Sequence, residues 1–274
     1  MHLVITGTSS GIGHALAEHL LARGDHVWGL ARSGQPALAA QYPGRFHAAR
    51  CDVAEWGQVR QAAAAVGAAW PGVDGLITCA AVQGELGPAM TLDPLRWSAT
   101  VRTNLDGSYY AIRAFHELLG RAPRRAKIIC LSGGGGTKAR PNFSAYAAAK
   151  TGLIRLVETL AGELRGTALD INAVAPGAVT TRMTEEVLRL GPAAVGEAEY
   201  QAARKQMEAD SGSLAKALGL IEWLLSPASD GISGRLLAAQ WDPWATLDRH
   251  RDALAPTDVY TLRRILPADR GHAF

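Results

Sequence analysis

Short apolar runs alternate with longer stretches of helical periodicity from the start of the chain. His2–Thr6, His26–Ala31, Arg45–Asp52, Asp74–Ala80, Lys127–Leu131 and Leu169–Ala175 each read as strands. Between them, Gly11–Ala22 carries Ile12, Leu16 and Leu20 on one helical face, and Val59–Ala69 lies on another helix. Helical patterns also fill about 93–120 and 144–165, and Arg235–Ala239 reads as a last strand. Strands and helices in strict alternation predict an α/β fold, with a mostly parallel sheet covered by helices on both faces. Right-handed crossovers make it doubly wound, of Rossmann type, with the ligand site outside the carboxyl ends of the strands.

Two segments depart from that rhythm. Residues 182–211 contain apolar helical stretches between Gly and Pro breaks, the pattern of a lid. Residues 245–274 are rich in Arg, Asp and Pro and read as a C-terminal extension of a single domain spanning 1–244. Gly133–Gly136 is too short for a linker and falls where a site is expected.

Composition narrows the partners. The 274 residues carry a net charge of only +3, with no block of like charge, so no nucleic-acid footprint is expected. The chain runs directly into a strand without a charged and then apolar leader, and no run approaches the ~20 apolar residues of a membrane span. A cytoplasmic protein without membrane contact is expected. Cys51, Cys79 and Cys130 are odd in number, lack metal-ligand spacing and lie at or near strand ends, where cysteine acts as a small hydrophobe. No metal site is expected.

The turn Thr6-Gly7-Thr8-Ser9-Ser10-Gly11-Ile12-Gly13 joins the first strand to the first helix. Glycines there allow a tight turn and let backbone N–H groups at a helix N-terminus meet a pyrophosphate. The end of the second strand reads Leu30-Ala31-Arg32-Ser33. A carboxylate at that place would bind the adenosine ribose and repel a 2′-phosphate, whereas Arg32 offers a guanidinium fork suited to phosphate. NADP is therefore the expected cofactor, with NAD as the alternative.

Tyr146 and Lys150 are four residues apart on a helical pattern and share a face. A phenol with a pKa near 10 is a poor acid or base at neutrality, and a neighbouring ammonium shifts it usefully. Bringing it near 7 requires about 4 kcal/mol of differential interaction. Ser132 precedes the pair at a strand end, and Asn172-Ala173-Val174-Ala175-Pro176-Gly177 follows it at another.

With these motifs in this order, residues 2–239 resemble the short-chain dehydrogenase/reductase family. The resemblance implies that Gly7, Gly11 and Gly13, with Ser9, Ser10 and Ile12, surround the cofactor phosphates. It implies that Asp52 and Val53 hold the adenine, and that Ala80 lies beside the cofactor in Thr78-Cys79-Ala80-Ala81, where the family usually has NNAG. Asn104 would support the active-site water, Tyr146 would be the acid/base, and Lys150 would hold the nicotinamide ribose. Pro176, Gly177, Val179 and Thr181 would contact the nicotinamide amide. The family serine lies thirteen residues before the tyrosine, where this chain has Gly133. Either the glycine run shifts the loop and Ser132 serves, or the position is vacant, and the first alternative is preferred because glycines absorb such a shift.

The expected reaction is hydride transfer between NADP(H) and a ketone or secondary alcohol on a polar, sugar-like or acyl small molecule. An NAD-dependent alcohol or polyol dehydrogenase is the alternative, and a dinucleotide-binding sensor with little turnover is a second. Arg140 and Arg182 are candidates for an anionic substrate group. The resemblance further implies a homodimer or homotetramer.

Overall fold

The computed structural model describes residues 1–208 and 212–273. In chain order the elements are β1 (His2–Thr6), α1 (Gly11–Ala22), β2 (His26–Ala31), α2 (Pro36–Gln41), β3 (Phe46–Arg50), α3 (Trp56–Ala69), β4 (Gly75–Thr78), α4 (Pro94–Val101) and α5 (Gly107–Gly120). They continue with β5 (Ala126–Leu131), α6 (Ser144–Glu163), β6 (Leu169–Ala175), α7 (Arg182–Leu190), α8 (Pro192–Val195), α9 (Glu197–Glu208), α10 (Ser213–Leu225), β7 (Leu236–Ala238) and α11 (Arg251–Leu254).

The strands form one sheet in the order β3-β2-β1-β4-β5-β6-β7, and all six pairings are parallel. The order reverses between β1 and β4, which opens a crevice at their carboxyl ends. Positions in the central strands β1, β4, β5 and β6 are nearly all buried because helices cover both faces, whereas the edge strand β3 is largely open. One core layer joins Leu3, Ile5 and Ile129 to Leu16, Leu20 and Leu224, and the other joins Val4, Leu76 and Ile128 to Phe115, Leu153 and Val157.

The expected elements recur: β1, β2 and β6 keep their expected bounds, β5 starts one residue earlier, and β3, β4 and β7 are one or two residues shorter at each end, while three other features differ. The 93–120 pattern is not one helix: residues Arg102–Asp106 form a single π-helical turn between α4 and α5. Such a turn inserts a residue without disturbing the apolar period on either side. Helices α2 and α10 were not anticipated. The expected lid is three short helices, α7 to α9, punctuated by Gly191 and Gly196 at φ +76° and +87°, while positions 209–211 of it lie outside the described residues.

The segment after β7 is held to the body both by side chains, with Leu247 and Leu254 buried in the core, and by hydrogen bonds to its backbone. Arg235, only 7% exposed, donates to the carbonyls of Leu254, Ala255, Thr257 and Val259 at 2.8, 3.3, 2.8 and 2.7 Å. Farther on, Leu262 N–H donates to Glu158 Oε1 of α6 at 2.6 Å, and Arg155 donates to the Leu262 carbonyl. Trp244 packs on Gly219 and Trp223 and donates to the Ala239 carbonyl at 3.2 Å, whereas Trp241 is 76% exposed.

Candidate active site

The turn after β1 is built for close approach. Gly7 has φ +78°, and a Cβ there would stand 2.8 Å from Ala80 Cα. A Cβ on Gly13 would meet the Gly7 carbonyl oxygen at 2.5 Å. Ser10 caps α1 in an extended conformation, leaving the helix N-terminus open beside Ser9, Gly11 and Ile12. The bare cradle and its free N–H groups fit a dinucleotide pyrophosphate. Thr181 closes the far side, its Cγ2 being 3.5 Å from where a Gly11 Cβ would lie. Thr181 also caps α7 in a reciprocal arrangement with Thr184.

The remaining cofactor candidates lie along the same edge. Arg32 is exposed directly after β2, with no carboxylate beside it in sequence. Asp52 Oδ1 accepts from Ala54 N–H at 3.0 Å, and Val53 is buried against Gly107. Ala80 N–H donates to Thr6 Oγ1 at 3.0 Å, which ties β4 to β1 where the usual asparagine pair is missing. Pro176 and Val179 are buried, and Gly177 has φ +87°. Sequence reasoning missed Gln240. Its amide donates to the carbonyls of Pro176 and Ser213 at 3.2 and 3.1 Å, and its Cγ lies 2.4 Å from a Cβ placed on Gly177.

The chemical groups converge from three elements. Asn104 is fully buried in the π-helical turn, where its side chain accepts from Val82 N–H at 3.0 Å and donates to the Val82 carbonyl at 2.7 Å. Tyr146 and Lys150 face inward from α6. Lys150 is 2% exposed and its ammonium donates to the Leu131 carbonyl at 2.6 Å, lying 5.7 Å from the Tyr146 ring centre. Burial pushes that ammonium down to about 8, against smaller opposing effects of Cys130 and Cys79.

Tyr146 differs from expectation. It is covered by a small apolar cluster of Leu86, Phe143, Val187, Val195 and Ala203, and this burial raises the phenol pKa. The cation opposing the rise is Arg140.

The glycine run also behaves differently from the preferred reading. A Cβ on Gly133 would stand 2.6 Å from Tyr146 Oη, so it is Gly133 that faces the phenol. A Cβ on Gly136 would meet both Ser132 Oγ and Ile154 Cδ1 at 2.8 Å, which puts Ser132 beneath the glycine turn. The Ser132 hydroxyl is buried and makes no hydrogen bond among the described residues.

The candidate substrate cations separate. Arg140 Nη2 is tied to Glu199 Oε2 at 2.8 Å, and Arg182 is exposed at the start of α7. Cys51, Cys79 and Cys130 are unpaired, with thiols pushed by burial up to about 11, 12 and 11. No group of potential metal ligands occurs among the described residues, and none of their helices is long and apolar enough to cross a membrane.

Residues 1–189 match the short chain dehydrogenase family. The chain belongs to that family. This short-chain dehydrogenase is 33% identical over 185 residues to D-threitol dehydrogenase of Mycolicibacterium smegmatis, covering 66% of this chain and 70% of that protein. It is 30% identical over 183 residues to 3-oxoacyl-(acyl-carrier-protein) reductase of Escherichia coli, covering 66% and 74%. Among solved structures, a short-chain dehydrogenase/reductase from Saccharomyces cerevisiae superposes with a TM-score of 0.80 at 24% identity, covering 88% of this chain and 96% of that one. The ligand-free aldohexose dehydrogenase of Thermoplasma acidophilum gives 0.74 at 22%, covering 86% and 91%. The short-chain dehydrogenase is thus an NAD(P)-dependent oxidoreductase. The family match ends within α7, so the rest of the lid and the C-terminal segment lie outside it.

Proposed function

We propose that the protein is an NADP(H)-dependent ketoreductase, reversibly interconverting a ketone and a secondary alcohol on a small polar substrate. The observation that carries this reading is the meeting of the glycine cradle with the buried Tyr146–Lys150 pair at the carboxyl end of the sheet. The bound nicotinamide would supply or accept the hydride.

The chain's own groups do the rest. Gly7, Ser9, Ser10, Gly11, Ile12 and Gly13 hold the phosphates, Arg32 the 2′-phosphate, and Asp52, Val53 and Ala80 the adenosine side. Pro176, Gly177, Val179 and Thr181 orient the nicotinamide. Tyr146 Oη binds the substrate oxygen and donates its proton, and Lys150 holds the ribose. Asn104 fixes the Val82 segment behind them. Ser132, whose buried hydroxyl makes no hydrogen bond among the described residues, is the candidate second donor to the substrate oxygen only if the glycine turn over it shifts, because in the present arrangement Gly133 faces the phenol. The apolar cluster over Tyr146 excludes water from the transfer.

A polar, sugar-like or polyol substrate is favoured by the likeness to D-threitol dehydrogenase, and an acyl thioester by the likeness to the acyl-carrier-protein reductase. Assembly as a homodimer or homotetramer through α4 and α5 is the arrangement we favour, because this chain's own C-terminal segment already lies against α6. Three unpaired thiols suit a reducing cytoplasm.

The test is titration of NADPH against NADH on wild type and on Arg32→Ala. NADPH should bind more tightly, and most of that preference should vanish in the variant. Equal or tighter NADH binding by the wild type would overturn the assignment and favour an NAD-dependent alcohol or polyol dehydrogenase.

A further inference from the structure

The space above Tyr146 holds an ion pair that the reaction just described does not use. Arg140, in the loop between β5 and α6, lies with its guanidinium carbon 3.7 Å above the Phe143 ring and 5.8 Å from the Tyr146 ring centre. Its side chain is only 18% exposed and pairs with Glu199 of α9 at 2.8 Å. The pair joins the active-site loop to the lid directly over the phenol.

Two cations and a mostly apolar shell surround Tyr146. Lys150 comes from its own helix, Arg140 from the preceding loop, and Tyr200 from α9, whose Glu199 reaches Arg140. Leu86, Val187, Leu188, Ala194 and Val195 from the other packed segments are apolar. Gly133 contributes no hydroxyl at the one point where a side chain would touch the Tyr146 oxygen.

Arg140 and Lys150 are almost equally distant from the phenol ring, at 5.8 and 5.7 Å, but they are not equivalent. The lysine ammonium is directed at the Leu131 carbonyl, and its burial lets it lose charge at mildly alkaline pH. A guanidinium keeps its charge throughout that range.

We propose that Arg140 is the positioning residue that sets the acidity of Tyr146, with Glu199 on the lid as the counter-ion that limits its effect. The proposal rests on the reading of Tyr146 as the acid/base. It assigns the lid a second role besides excluding water. With α9 closed, Glu199 neutralises part of the guanidinium field and keeps the phenol protonated, ready to donate. Loosening the ion pair while the apolar cluster stays closed frees the guanidinium field and favours the phenolate form, as abstraction of an alcohol proton requires. The same ion pair would therefore bias the direction of proton transfer.

The test is ultraviolet titration of the Tyr146 phenol in the cofactor-free protein, with Tyr146→Phe as the subtracted background and circular dichroism as the check on folding. Arg140→Met should move the transition upward by about one pH unit, as expected for loss of a cation near 6 Å in a partly screened site. Arg140→Lys should largely restore it. Glu199→Gln, at the partly exposed end of the pair, should move it downward and keeps the test decisive if Arg140→Met does not fold. Transitions in Arg140→Met and Glu199→Gln that coincide with wild type would overturn the proposal. Hydride transfer by wild type is scored separately. A phenol that responds to Arg140 in a protein that turns over no ketone would leave the proposal standing and remove the ketoreductase reading, while an active enzyme with an unresponsive phenol would do the reverse.

Discussion

Lys150 is a costly residue to bury, and that cost can be measured. Its ammonium is 2% exposed, with one hydrogen bond, to the Leu131 carbonyl, and its pKa falls from 10.5 to about 8. A lysine whose folded pKa is depressed binds fewer protons folded than unfolded between those values, so its contribution to stability rises with pH across that window. Below about pH 8 the penalty is present in full, and at 1.36 kcal/mol per unit it amounts to about 3 kcal/mol. Lys150→Met removes it but leaves the Leu131 carbonyl without its donor, at a cost of ~1–3 kcal/mol. Near pH 7 the variant should therefore equal or slightly exceed wild type in stability.

The raw pH profile is not sufficient, because the three thiols act in the opposite sense. Their folded pKa values are raised from 9.0 to about 11, 12 and 11, so the stability they contribute is lost as pH rises through and above 9. The informative quantity is the difference between Lys150→Met and wild type, from urea unfolding of the cofactor-free proteins at pH 7 and at pH 10. That difference should shift in favour of wild type by about 2–3 kcal/mol between the two pH values. A difference that does not change with pH would refute the claim that a charged lysine is buried at a cost to the fold.

Two further outcomes follow from packing. Gly13→Ala places a Cβ 2.5 Å from the Gly7 carbonyl oxygen, so dinucleotide binding measured by fluorescence quenching should fall at least tenfold, with a loss of at least ~1–3 kcal/mol in stability. Arg235→Ala removes four hydrogen bonds to the C-terminal segment. Limited proteolysis should then cleave between residues 254 and 262 in the variant well before wild type, and stability should drop by about 2–4 kcal/mol.

Much of the architecture was legible because buried parallel strands read as short apolar runs and the intervening helices keep their own period. The Tyr146–Lys150 pair was visible for the same reason, since i,i+4 spacing on α6 places both on one face. What escaped the sequence depends on contacts that leave no periodic trace. The π-helical turn at Asn104 preserves the apolar stripe on both sides and so is silent in the pattern. Gln240 and Arg235 act on backbone carbonyls, which every residue has, so neither their targets nor their geometry is encoded in a motif. The relation of Ser132 and Gly133 to Tyr146 depends on how a glycine loop turns after β5, and four glycines leave that open until the fold decides it. Arg140 and Glu199 are 59 residues apart, and only the docking of α9 brings them together.

The central claim is that Tyr146 is the proton donor of a hydride-transfer site, and Tyr146→Phe tests it most directly. The phenyl ring keeps the apolar packing with Leu86, Phe143 and Val187 and loses only the hydroxyl. NADPH affinity should stay within about twofold of wild type, while turnover of any ketone that the wild type reduces should fall by at least 10²-fold, as expected for loss of a general acid. Turnover within a few-fold of wild type, with cofactor affinity intact, would contradict the account.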